Sequence, residues 1–555
     1  MAKRESMIER IRDDGRFDVA IIGGGATGLG AAVDAALRGY RVALVEARDF
    51  ASGTSSRSTK LVHGGVRYLA RGEIHLVREA LHERGVLEKN APALVNDRAF
   101  LVPAYSGFGR FYYGLGLKVY DWLAGPRNAI PSRIVDRDRA LELVPTLKRD
   151  GLKGGVVYHD GQFDDSRLAI ELMRRLVDDL NAIAVNYLQA IRLIKQEGVT
   201  RGLIAVDLET GEELSIHARA VVNATGVGVD RIRKLDDSES KPLLEPSQGA
   251  HLVIDRDFLP GETAIMIPKT SDGRVLFAIP WLGKVVVGTT DTPVAAIDPD
   301  PKPLAEEVSF LLDHLAQTLD RAPTKTDVKS AFAGLRPLLG NHDGESTAKL
   351  SREHVIETSK SGLTTITGGK WTTYRVMGED AIDRAIEVAG LTRRPSRSES
   401  FAIGPRRSPD PSKSKSHESE LIDRSGVDSR SDGSALSDQS GDDSRRVGLE
   451  RAYRDQDRAT IDRLVAEDPS LADPIVPGLS YRLFEVALAA RFELARTVED
   501  VLARRTRALF LDARGAAQAA PKVAAILARE LGRDQAWRDD QIREFQLLCQ
   551  NYVLT

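Results

Sequence analysis

The segment Gly23-Gly-Gly25-Ala26-Thr27-Gly28 has the spacing G-x-G-x-x-G. Such a turn handles phosphate without side chains. Gly23 makes a tight turn, Gly25 lets the backbone approach a pyrophosphate, and Gly28 lets the next helix pack close to the preceding strand. The helix start offers free N–H groups and the positive end of a dipole. Glu46 follows at roughly the 20-residue separation where an acid accepts hydrogen bonds from an adenosine ribose.

Four further segments carry chemistry. Gly53-Thr54-Ser55-Ser56-Arg57-Ser58-Thr59-Lys60 is dense in hydroxyls and cations. It can hold a second phosphate or the rim of a ring, or it is an exposed polar loop. Leu61-Val-His63-Gly64-Gly65-Val-Arg67-Tyr68 sets a His, an Arg and a Tyr around a glycine pair, and beside a redox ring His63 is a proton-acceptor candidate. Gly334-Leu-Arg336-Pro-Leu338 holds one Arg in a rigid apolar turn, where it wants a fixed anion. Thr367-Gly-Gly369-Lys370-Trp371-Thr372-Thr373-Tyr374-Arg375 is a glycine turn opening a helix. Its N–H groups and Lys370 can face charge developing on a flavin ring; otherwise Lys370 is a solvated helix-start residue.

Regular elements must position these residues. Phe17–Ile22 reads as a buried strand, an Ala-rich helix runs to Leu37 and ends at Gly39, and Arg41–Val45 is a second strand. Glu73–Asn90 has helical periodicity through Ile74, Val77, Ala80, Leu81 and Leu87. Leu203–Leu208 and Leu214–Ala218 read as a hairpin. His251–Ile254, Ala264–Ile267, Val275–Ile279 and Val285–Val287 suggest a mostly antiparallel sheet, followed by a helix over Leu304–Leu319. Gly362–Tyr374 is strand, glycine turn and helix start, with the helix running through Ala389. Ser396 to about Arg446 is rich in Ser, Asp and Arg, which favours a disordered linker or insertion. Val447 onward is helical by pattern.

At 555 residues the chain can hold two or three domains. Hydrophobic content of 42% and charged content of 29% are those of a soluble globular protein, and a net charge of −3 gives no reason to expect nucleic acid. The single cysteine, Cys549, excludes an intramolecular disulfide framework, a cysteine zinc site and an iron–sulfur cluster, and suits a reducing cytosol. No metal is expected. The first residues lack an apolar stretch, so no secretory signal is expected. No apolar run is long enough to span a membrane. Phe108–Trp122 mixes Phe111, Tyr112, Tyr113, Leu115 and Leu117 with Arg110 and Lys118. It can lie in a membrane interface or be a buried helix or hairpin.

Taken in order, the motifs at 23–28, 54–68, 223–226 (Asn-Ala-Thr-Gly), 288–291 (Gly-Thr-Thr-Asp), 334–338 and 368–375 resemble those of the FAD-dependent glycerol-3-phosphate dehydrogenase family. Glu493–Arg507 resembles part of that family's C-terminal domain. Two positions depart: Gly228 stands where many relatives carry Trp, and Gln248 where many carry Lys.

The resemblance implies an α/β fold. It has a Rossmann-like FAD-binding domain (about 17–100, 150–250 and 345–395), a mainly antiparallel substrate sheet (about 100–150 and 245–345), the linker at 396–446, and an all-helical domain at 447–555. It implies non-covalent FAD and oxidation of sn-glycerol 3-phosphate to dihydroxyacetone phosphate, with hydride passing from C2 to flavin N5. Arg67, Tyr68, Arg336, Arg352, Lys370 and Thr373 are expected around the substrate, and His63, His251 and Arg336 are the candidate bases. The turn at 23–28, Glu46, Thr54, Ser55, Ser56, Ser58, Thr59, Lys60, His63, Gly64, Gly65, Ala190, Thr225, Gly226 and Gly369–Thr372 are expected to hold FAD.

The sequence has no second G-x-G-x-x-G for a nicotinamide. The family then points to a membrane quinone as acceptor, at the inner face of the cytoplasmic membrane, and leaves a homodimer open. An oxygen-using glycerophosphate oxidase, an amine or amino-acid oxidase of the same fold, and a non-enzymatic flavin-binding scaffold are the rival readings.

Overall fold

The computed structural model describes residues 3–65, 72–124, 130–340, 353–404 and 455–554. Within them lie an eight-stranded and a ten-stranded sheet. The first sheet is built on the strand Arg16–Ile22, which pairs in parallel with Val42–Val45 on one side and Glu213–Asn223 on the other. Ile183–Val185 and Thr364–Gly368 extend it, also in parallel. Such strands are covered on both faces, which explains their unbroken apolar runs. The helix Ala26–Leu37 leaves the first strand through Gly25 in an extended conformation. It ends at Gly39, whose φ of +81° is a left-handed value suited to glycine. The expected hairpin forms from Val199–Asp207 and Glu213–Asn223.

The second sheet runs from Thr292–Pro293 through Ser247–Asp255, Lys284–Gly288, Leu276–Trp281 and Ala264–Ile267 to Val95–Ala104 and Gly154–Phe163. Its neighbours are antiparallel except where Ala264–Ile267 meets Val95–Ala104. Val328–Arg336 lies along Ser247–Asp255, setting Phe332 opposite His251 and Arg336 opposite Ser247. This corrects the segment boundaries expected from sequence. Leu61–Val62 and Gly154–Phe163 belong to this second sheet, because Gly154–Phe163 pairs along its whole length with Val95–Ala104.

The linker boundary also moves. Ser396 donates to Asp34, Ser398 is buried, Ile403 is buried with its N–H on the Asn90 carbonyl, and the Gly404 carbonyl accepts from Arg175. Residues 396–404 are therefore packed. The rest of the Ser-rich stretch lies outside the described residues.

The C-terminal region contributes helices at Asp455–Glu467, Phe484–Phe492, Ala513–Leu531 and Gln535–Cys549. They share a core with Val253, Trp281, Val286 and Phe332, on the second sheet. The turn Asp500–Arg505 docks on the nucleotide-binding part instead. Arg504 and Arg505 both hold the fully buried Asp49, Arg505 with two N–H groups.

Gly107–Ala124 forms one helix. Leu117 and Tyr120 face inward, so Leu117 is not an interface residue. Phe111, Tyr112 and Leu115 face outward, with Phe108 80% and Trp122 73% exposed.

Candidate active site

At the glycine turn, each glycine answers a different crowding. Gly23 has φ of +111°, and a Cβ there would lie 2.5 Å from the Ala224 carbonyl oxygen. A Cβ on Gly28 would lie 1.9 Å from the Gly23 carbonyl oxygen, so helix and strand pack as closely as the backbone permits. Gly25 differs: only Ser55 Oγ, at 3.1 Å, comes near. It faces a gap beside an uncapped helix start. The residues present therefore fit the pyrophosphate of FAD. Ala26 N–H donates to Ser55 Oγ at 2.9 Å. Glu46 accepts from the Gly24 N–H at 2.6 Å and the Arg48 N–H at 2.8 Å. Burial raises its carboxyl pKa, outweighing those bonds. Leu188, two residues before Ala190, donates to the Glu46 carbonyl at 2.8 Å. Thr225 and Gly226 follow the strand Glu213–Asn223, and the Thr225 backbone lies against Gly23.

The redox end is assembled from distant segments. Thr54 Oγ donates to the Leu335 carbonyl at 2.6 Å, Trp371 Nε1 to the Ser55 carbonyl at 2.8 Å, and His63 N–H to Thr372 Oγ at 3.2 Å. Between them opens a cavity of about 200 Å³, whose walls include Thr59, His63, His251, Arg336, Lys370 and Thr372. Gly64 is a packing glycine, since a Cβ would meet Tyr120 Oη at 2.3 Å. Gly65 and Gly369 have φ of +77° and +69°.

Arg336 is held on its inner side. It donates to the Asp291 carboxylate at 3.1 Å, the Thr290 carbonyl at 2.8 Å, the Gln248 carbonyl at 3.2 Å and Thr289 Oγ at 3.1 Å. Asp291 in turn accepts from Ser247. The guanidinium can lie across the strand only because residue 249 is glycine: a Cβ there would come within 2.4 Å of it. Gly249→Ala should therefore displace Arg336 while sparing the FAD turn. We expect kcat/KM for an anionic substrate bound at this wall to fall on the order of a hundredfold with cofactor content unchanged. Steady-state kinetics on the flavin-loaded variant check this.

His251 is buried. Its Nε2 shares a 3.0 Å hydrogen bond with Thr59 Oγ, and its ring stacks on Phe332 at 4.8 Å. Burial, then the charges of Lys60 and Arg336, push its pKa well down, so the ring is neutral at neutral pH.

Three expected site residues turn their polar groups elsewhere, Ser58 by donating its hydroxyl to Asp165 at 2.7 Å. Lys60 is fully buried, and its ammonium donates to Asp165 at 2.7 Å and to the Ser56 carbonyl at 2.8 Å. It therefore serves the protein's interior and offers no charge to a cofactor phosphate. Thr373 turns its hydroxyl back to the Lys370 carbonyl, leaving Thr372 on the cavity wall. Arg67, Tyr68 and Arg352 lie outside the described residues. Sequence reasoning gave no role to Gly249, Asp291 or Asp165. Asp291 ends an apolar strand and a threonine pair, and Asp165 follows the helix-capping Asp164; both were readable as buried anchors.

A family profile described as FAD dependent oxidoreductase matches residues 18–375. One described as the C-terminal domain of alpha-glycerophosphate oxidase matches residues 413–538. The mitochondrial glycerol-3-phosphate dehydrogenase of Arabidopsis thaliana is 38% identical over 95% of this chain and 85% of its own length. The human mitochondrial protein of that name is 35% identical over 97% of this chain and 74% of its own. The X-ray structure of the glycerol-3-phosphate dehydrogenase from Bacillus halodurans complexed with FAD aligns with a TM-score of 0.72 at 28% identity, covering 100% of this chain and 98% of that one.

Fold and glycine turn together define an FAD-dependent oxidoreductase. Within that class, the chain belongs to the glycerol-3-phosphate dehydrogenase family, and FAD is its cofactor.

Proposed function

We propose that the protein oxidises sn-glycerol 3-phosphate to dihydroxyacetone phosphate and delivers the electrons to a membrane quinone. The observation that carries this reading is Arg336 fixed on the cavity wall by Asp291 and the strand-end carbonyls, with Lys370 on the same wall. Fixed cations suit a dianionic phosphate and would have little use for an uncharged alcohol or amine. Arg67, Tyr68 and Arg352 complete the phosphate set in this proposal.

FAD, when bound, supplies the hydride acceptor at its N5. The protein's residues bind the phosphate, orient C2 and take the hydroxyl proton. His63 is the better base of the two histidines. It is half-buried on the cavity wall, whereas His251 is enclosed and its surroundings disfavour the imidazolium. His251 acts in neutral form, orienting Thr59. Arg336 remains cationic and binds rather than abstracts.

The helix Gly107–Ala124 supports a peripheral position on the inner face of the cytoplasmic membrane. It presents Phe108, Phe111, Tyr112, Leu115 and Trp122 on one exposed face, and among the described residues no helix is long and apolar enough to span a bilayer. Such a face can sink into the interface. The protein should float with anionic liposomes, and Phe108→Ser/Trp122→Ser should shift most of it to the soluble fraction with turnover on a water-soluble acceptor retained. Equal flotation of parent and variant would remove this helix from the membrane contact.

The match to an oxidase C-terminal domain favours oxygen as the rival acceptor. One assay separates the two. Glycerol 3-phosphate is supplied with a soluble quinone, then with oxygen alone, while peroxide is followed. Quinone-dependent turnover with little peroxide supports the dehydrogenase; stoichiometric peroxide supports the oxidase.

A further inference from the structure

Beneath the substrate cavity lies a buried charge cluster that binds no ligand in the proposed chemistry. Asp165 Oδ2 gathers the Ser58 N–H at 3.1 Å, the Ser58 hydroxyl at 2.7 Å and the Lys60 ammonium at 2.7 Å. Arg507, from the C-terminal region, donates to the Ser56 carbonyl at 2.7 Å and lies 3.3 Å from Asp165 Oδ1. Lys60, Asp165 and Arg507 are all fully buried.

Trp281, Phe332 and Phe510 place their rings 5.2–5.4 Å from the Lys60 ammonium, an aromatic cage for a cation. Phe332 is the ring on which His251 stacks. Lys60 itself has φ of +67°, a left-handed conformation that a lysine adopts only when its surroundings impose it. Ser56, Ser58 and Lys60 are thus each tied down below the cavity. Thr59, between them, meets His251 Nε2 above.

We propose that Lys60 is a positioning residue of the reaction. With Asp165 and Arg507 it fixes the segment Ser56–Lys60 so that the Thr59 hydroxyl and the His251 imidazole form one rigid, uncharged wall of the substrate cavity. This rests on the reading that the cavity takes glycerol 3-phosphate. The charges facing His251 are Lys60 and Arg336, and those facing Lys60 are Asp164, Asp165 and Arg507. Both cations near His251 oppose its protonation, in accord with its depressed pKa. Burial lowers the Lys60 pKa to about 7, against the pull of Asp165. The aspartate stays ionised: burial would raise it, but Lys60 and Arg507 outweigh burial.

The test uses the full-length, FAD-loaded enzyme with histidine-selective isotope labelling, the His251 signal being assigned through His251→Asn. In the parent, His251 should stay neutral as pH falls well below 6.5. Lys60→Met should retain FAD, lower kcat for glycerol 3-phosphate about tenfold with a smaller change in KM, and move the His251 titration up in pH. The acid limb of kcat/KM should move up with it. Lys60→Met/Asp165→Asn, which removes both charges, should behave alike if the single variant folds poorly.

A parent His251 that titrates at its ordinary value overturns the proposal. So does a flavin-loaded variant with unchanged kcat, acid limb and His251 titration. Failure of the substrate reading looks different: the parent would not turn over glycerol 3-phosphate, while the NMR titrations would still report on Lys60.

Discussion

Arg336→Ala should nearly abolish oxidation of glycerol 3-phosphate while leaving the flavin spectrum intact. The guanidinium sits largely buried at the cavity, its side chain 19% exposed, at the end of the strand Val328–Arg336. Its inner N–H groups are committed to Asp291, Thr289 and the strand-end carbonyls, which fixes its plane before substrate arrives. Removing a fixed, charge-assisted partner from a desolvated site costs about 2–4 kcal/mol, or roughly 30- to 1000-fold in kcat/KM. Arg336→Lys keeps the charge but loses the planar fork, so it should recover only part of the loss. Plain glycerol should be a very poor substrate of the parent. Normal kinetics in Arg336→Ala, or glycerol oxidised as well as its phosphate, would place the recognition elsewhere and bring an oxidase of an uncharged alcohol or amine forward.

Gly25→Val should give a folded protein without FAD. A Cβ at this position would meet only Ser55 Oγ, at 3.1 Å, so a small shift of that hydroxyl should let the fold accommodate it. The branched carbons would stand where the pyrophosphate must approach the helix start. The purified variant should lack flavin absorbance. It should also melt lower than the parent, through loss of about 3–4 kcal/mol of ligand stabilisation for a cofactor present at a hundred to a thousand times its Kd. Gly28→Val is the contrasting control. A Cβ there would collide with the Gly23 carbonyl, so this variant should fail to fold. Full flavin content in folded Gly25→Val would mean that the phosphate turn lies elsewhere.

The parts of this architecture legible in the sequence are those with local signals. Phe17–Ile22, the glycine turn, the helix to Leu37 and Glu46 are set by periodicity and by backbone needs that only glycine meets. The sheet around His251 declared itself through runs of β-branched residues. Non-local pairing did not. Nothing in Gly154–Phe163 shows that its partner is Val95–Ala104 rather than the nucleotide-binding sheet. Lys60 misled in a similar way. A Ser- and cation-rich loop reads as a phosphate holder or an exposed polar loop, whereas the burial of Lys60 depends on an aspartate about a hundred residues further on. Ser396–Gly404 packs despite its polarity because its hydroxyls find Asp34 and neighbouring serines. Composition averages over such pairings and cannot register them.

The docking of Asp500–Arg507 on the nucleotide-binding part bears on how the protein is made. Asp49 and Ser56 belong to the first tenth or so of the chain, yet their bonds to Arg504, Arg505 and Arg507 span 451 to 456 residues. A chain emerging from the ribosome presents its N-terminal segments first. Until residues 504–507 appear, Asp49 and Asp165 lack these arginine counter-ions, and a buried carboxylate without its partners is costly. The flavin pocket therefore reaches its final form only once residues 504–507 have been made. A prematurely terminated chain would contain every glycine of the phosphate turn yet be a poor flavin holder, and a natural target for proteolysis.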